Sequence, residues 1–66
     1  MAGQTRLAQA LFKKRVGLHL TTRQAAERCG VVLTTYWRAE RGKTPDIVNG
    51  MRLAKWLEQS LEELFP

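Results

Sequence analysis

The sequence has a single cysteine, a single histidine and two prolines in 66 residues. One cysteine cannot close an intramolecular disulfide, and Cys29 has no Cys or His neighbours at metal-ligand spacing. A disulfide scaffold and a structural zinc site are therefore both excluded, and a reducing cytoplasm fits. His19 has no carboxylate, cysteine or second histidine nearby in sequence, so it lacks the partners of a ligand or catalytic base. No apolar run approaches the roughly 18 residues of a membrane span. Residues 1–5 lead into no apolar h-region, so no secretory signal is expected. No segment alternates with period two over strand length, and there are no repeats, linkers or low-complexity stretches. Glycine and proline are too few, and the 44% hydrophobic content too high, for a disordered chain. A chain of this length buries only about 60% of its unfolded surface, so residues 1–66 form one small domain at most. The sequence also offers no paired acids, no nucleophile with a base, and no phosphate-cradling loop. No enzyme, cofactor, metal or small-molecule ligand is implied.

What is present is positive charge, unevenly placed. The net charge is +5. Residues 1–43 carry nine Lys and Arg against Glu27 and Glu40, a net of +7, and residues 44–66 carry a net of −2. A basic segment this concentrated in a small domain favours a polyanionic partner, nucleic acid before membrane surface. The cations are spread over several segments rather than one face, which disfavours a basic amphipathic membrane binder.

The periodicity is helical throughout. Residues 4–16 place Leu7, Leu11 and Phe12 at helical spacing, with Lys13, Lys14 and Arg15 near the end, where cations suit the helix dipole. Gly17 closes that helix. Thr21 with Gln24 makes a capping box for residues 22–29, and Gly30 supplies the left-handed residue past its end. A third helix spans 33–41, closed by Gly42. Asp46 caps a fourth at 47–57, whose wheel groups Ile47, Leu53, Ala54 and Leu57 as a core arc with Trp56 opposite. Ser60 with Glu63 makes a second capping box for a short turn, 61–65. Five short helices make a compact all-α domain.

Residues 22–41 carry the specific signal. Two helices joined by a tight turn need a small residue at their crossing, a glycine in the turn, and apolar inner faces. With Thr22 as the first position, the fifth is Ala26 and the ninth Gly30; the inward positions four, eight, ten, fifteen and eighteen are Ala25, Cys29, Val31, Tyr36 and Ala39. All seven constraints are met at fixed spacing.

This pattern resembles the Cro/C1-type (XRE-like) helix-turn-helix family of phage repressors and bacterial transcriptional regulators. The likeness runs through Leu20-Thr21, Ala25-Ala26-Glu27, Gly30-Val31, the run Arg38 to Lys43, Pro45-Asp46, Leu53-Ala54-Lys55 and Ser60 to Leu64. It implies a five-helix, lambda-repressor-like fold in which the second and third helices read double-stranded DNA. The chain departs from the family in four places. The link at residues 17–20 is about two residues longer, Val32 replaces a capping Ser or Thr, Thr22 replaces a glutamine, and Gly50 replaces a large apolar residue.

On the third helix Leu33, Thr34, Trp37, Arg38 and Arg41 share one wheel face, opposite Thr35, Tyr36 and Ala39. The resemblance puts Leu33, Thr34 and Arg38 at base edges. Arg38 suits guanine through its planar fork, and Leu33 a thymine methyl. Trp37 is counted with this DNA base-reading set; it either stacks at the groove edge or covers the domain's own core. Phosphate contacts are expected from Thr21, Thr22 and Arg23, where free N–H groups open a helix, and from Arg41 and Lys43. The resemblance also pairs Glu40 with a cation of the first helix, with Lys13, Lys14 and Arg15 as candidates, and Cys29 reads as a buried small apolar residue. The expected function is operator binding by a cytoplasmic, prokaryotic or phage regulator, nucleoid-associated when bound and acting as a repressor. The rival is a helical protein-interaction module that has lost DNA binding. A weak homodimer on DNA is expected, because one recognition helix touches few base pairs. Trp56, Leu61 and Phe65 are its candidate interface, the alternative being that Trp56 folds over its own domain.

Overall fold

A computed structural model describes residues 5–65. These residues form five helices and no strand: α1 (Arg6–Gly17), α2 (Thr22–Cys29), α3 (Leu33–Glu40), α4 (Ile47–Leu57) and α5 (Leu61–Leu64). Four of the five starts are fixed by a side chain that accepts a backbone N–H otherwise left without a partner. Thr5 accepts from Ala8, Thr21 from Gln24, Asp46 from Asn49 and Ser60 from Glu63. The capping boxes at Thr21 and Ser60 are both complete. Only α3 starts without one, since Val32 has no side-chain acceptor.

Element ends depart slightly from the periodicity. The start expected at Gln4 lies outside the described residues. Gly17 is the last residue of α1 rather than its stop; the turn that follows holds His19 at φ 58° and is fastened by the Leu20 N–H donating to the Arg15 carbonyl at 3.0 Å. Arg41 caps α3 instead of belonging to it, and Phe65 caps α5.

The core is built from small and large residues facing each other. Ala25, Ala26 and Cys29 of α2 meet Tyr36 and Ala39 of α3, so the two helices lie close; Leu7, Leu11, Leu53, Leu57 and Leu64 fill in from the other elements. Tyr36 is fully buried, and its hydroxyl donates to the Leu11 carbonyl at 3.3 Å, which removes the cost of burying it unpaired. Gly30 at φ 78° turns the chain between α2 and α3.

Three sequence-based placements are corrected. Phe12 is 54% exposed and Ile47 67% exposed, so neither belongs to the core. Each lies roughly 70–100° from the centre of its helix's buried arc, and periodicity alone does not fix how wide that arc is. Trp56 does not point away. It is half-buried against the core, edge-on to Tyr36 with ring centroids 6.4 Å apart and planes at 77°. The Lys14 ammonium lies 4.9 Å from the centre of its ring and donates to its carbonyl, so Trp56 seals its own domain.

A candidate nucleic-acid interface

The buried side of α3 is Tyr36 and Ala39, and this fixes what its other side presents. Thr34, Trp37 and Arg38 are exposed and Leu33 is half-buried, so the outward set expected from the wheel is outward in the fold. Arg41 and Lys43 follow in the turn, which folds back so that the Lys43 N–H donates to the Arg38 carbonyl at 3.0 Å. Gly42, at φ 96°, permits that turn.

The start of α2 is the other element expected to meet phosphates. Thr21 Oγ1 accepts the Gln24 N–H at 3.1 Å while the Thr21 N–H donates to Gln24 Oε1 at 2.9 Å. The hydroxyl proton of Thr21 and the N–H groups of Thr22 and Arg23 stay available at the positive end of the helix, where an anion is favoured. Arg23 is exposed and Thr22 is half-buried.

The face is cationic because its carboxylate is taken from behind. Glu40 ends α3, and Arg15 of α1 grips it at 2.8–3.2 Å through Nε and Nη2, while Arg15 Nη1 donates to the Leu20 carbonyl. Of the three candidate cations, Arg15 is the partner; Lys14 is committed to Trp56 and Lys13 is exposed. The hydrogen bonds to Glu40 hold the Arg15 guanidinium above its ordinary range, so it stays charged. Among the described residues this is the one ion pair, and Arg23, Arg38, Arg41 and Lys43 have no carboxylate within ion-pair distance.

Trp37 is 48% exposed, so it does not cover the core. The Arg41 guanidinium lies 4.5 Å from its ring centre, one helical turn on, and occupies one indole face. That face is closed to a sugar, and the indole holds Arg41 beside the outward set.

Two features of this region were not legible in sequence. Val32, which the sequence marks only as a missing cap, is the most exposed large apolar side chain among the described residues and sits at the start of α3. Arg52 of α4 donates to the Gly30 carbonyl at 2.7 Å and braces the α2–α3 turn from 22 residues away. No local pattern encodes that second contact.

Cys29 is buried, and loss of solvent pushes its thiol up to about 12, so it is neutral and inert at pH 7. No group of three His, Cys, Asp or Glu side chains among the described residues could hold a metal ion. No described helix is long and apolar enough to cross a membrane. Leu61 is half-buried and Phe65 partly exposed; both border a cleft beside Gly50 whose lining does not include Trp56. The chain matches no family model, no curated protein and no solved structure.

Proposed function

We propose that the chain is a sequence-specific double-stranded-DNA-binding domain, a Cro/C1-type helix-turn-helix regulator that acts in the prokaryotic cytoplasm as a repressor by occupying an operator. The observation that carries the reading is that Arg23 of α2 and Arg38, Arg41 and Lys43 of α3 and its following turn are exposed without a carboxylate partner, as Thr34 is exposed and Leu33 half-buried on α3. On this reading α3 enters the major groove. Leu33, Thr34 and Arg38 meet base edges, and Thr21, Thr22, Arg23, Arg41 and Lys43 meet phosphates. Trp37 acts through Arg41. One helix reads few base pairs, so two copies act together on a near-palindromic site.

Selection of bound sequences from a random duplex pool, followed by a salt titration on the best sequence, tests this. Each neutralised phosphate lowers the slope of log K against log salt by about 0.9, so about three or four contacts give a slope near −3. Enrichment of one sequence with such a slope supports the reading. Absence of binding to any duplex at low salt removes it and leaves the protein-interaction module, which the exposed apolar side chains of Val32 and the α4 surface favour.

A further inference from the structure

Helix α4 carries an apolar stripe that nothing in the described chain covers. Ile47, Val48 and Met51 are 67%, 55% and 55% exposed and lie side by side at helical spacing. A cleft of about 340 Å³ adjoins them, walled by Pro45, Ile47, Leu61 and Phe65. Its floor is Gly50, where a Cβ would still stand 3.8 Å from Pro45 and 3.9 Å from Phe65. The missing side chain at position 50 makes the recess, so one face holds both protruding and receding apolar surface.

Charge along α4 decides which partner fits. Asp46 caps the N-terminal end, while Arg52 and Lys55 lie toward the other; Arg52 is held by the Gly30 carbonyl, and exposed Lys55 has no carboxylate partner. Two α4 helices crossing antiparallel set Asp46 of each against Lys55 of the other and oppose their dipoles. A two-fold contact requires one patch to be complementary to itself, and knob, hole and reversed charge on a single face meet that requirement. We propose that a second copy of this chain docks here, α4 against α4 about an axis near Met51, with each flexible Met51 side chain reaching the Gly50 cleft of the other copy. This deepens the operator reading, on which only the use of the pair on DNA rests. It moves the pairing surface from Trp56 to the α4 stripe, with Leu61 and Phe65 at its edge.

Sedimentation of the DNA-free chain over a concentration series into the millimolar range tests the association by itself. The mass should rise toward twice the 7.5 kDa of the chain. Met51→Lys, at an exposed helical position, should keep the native circular dichroism and stay monomeric throughout, because it sets two cations together at the axis. Lys55→Glu should weaken association about tenfold or more by facing Asp46 with a like charge. A wild-type chain that stays monomeric, or Met51→Lys that associates as well as wild type, overturns the proposal. So does association lost in Phe12→Lys but kept in Met51→Lys, which would put the contact on α1. Association that survives while every duplex fails to bind removes the operator reading and leaves this surface standing.

Discussion

Replacing Gly50 with alanine should stabilise the domain. Gly50 lies in the interior of α4, and its N–H donates to the Asp46 carbonyl at 2.8 Å, a bond alanine keeps. Its backbone is outside the left-handed region, and the added Cβ meets Pro45, Phe65 and Leu61 at 3.8–4.0 Å, which is ordinary van der Waals contact. Strain is therefore absent, and two favourable effects remain. Alanine loses less backbone freedom than glycine in a helix interior, by about 1 kcal/mol, and its methyl gains a few tenths more against the cleft. A gain of about 1 kcal/mol raises the Tm of a domain this small by about 4–8 °C. Gly30→Ala supplies the opposite sign from the same chemical change. No atom lies within 4 Å of its Cβ, yet φ is 78°, so the cost is purely backbone, about 1 kcal/mol. Thermal melts followed by circular dichroism measure both. A fall in Tm for Gly50→Ala, or a rise for Gly30→Ala, would refute the reasoning, because space and backbone angle would no longer decide the outcome.

Ala26→Asp should unfold the domain, since Ala26 is buried where α2 meets α3 and a carboxylate there finds no partner; a near-native melt would mean that the crossing is not close. Arg38→Ala should relax preference at one base pair at a cost of about 1–3 kcal/mol on the selected site, whereas Lys43→Ala should weaken all duplexes alike and lower the salt slope by about one. Identical behaviour of the two across duplexes would remove the division between base and phosphate contacts. Stability should fall as pH rises through the alkaline range. Burial raises the thiol of Cys29 from 9.0 to about 12 and raises the Tyr36 hydroxyl as well, so the unfolded chain ionises first and the native state loses ground from about pH 9 upward. Urea melts at about pH 8 and about pH 10.5 should differ by roughly 1 kcal/mol or more, and Cys29→Ala should shrink the difference; equal midpoints would contradict the burial of both groups.

The features legible in sequence are those whose cause is local. Thr21 with Gln24, Gly30, Asp46, and Ser60 with Glu63 act within a few residues of themselves, and the helix bounds of α2 and α4 agree with them. The outward set on α3 was legible for a related reason, since fixing Tyr36 and Ala39 inward leaves Thr34 and Arg38 only one direction. Placements that needed to know what lies opposite a helix failed. Phe12 and Ile47 sit beside true core positions in the wheel, but neither is covered in the fold. Trp56 sits well off the α4 arc, yet its indole is long enough to reach back to Tyr36 and meet Lys14. The choice of Arg15 over Lys13 and Lys14 likewise depended on the register between α1 and α3, which only the folded chain sets.

That register also shapes the electrostatics of the candidate face. Glu40 is the acid nearest to Arg38 and Arg41 in the chain, and left free it would draw either of them into a local pair. Arg15 reaches it from α1 with a multiply bonded guanidinium that is only partly exposed, so the competing acid is satisfied from the core side. Arg41 is then free to lie on Trp37, and Arg38 to extend without a partner. The same pair joins α1 to the end of α3, while Arg52 joins α4 to the α2–α3 turn through the Gly30 carbonyl. Arginines of other elements thus hold the end of α3 and the turn before it, and Arg38 is left outward. On the proposed reading, Arg41 is already placed by Trp37, and less of the binding energy is lost in ordering that side chain.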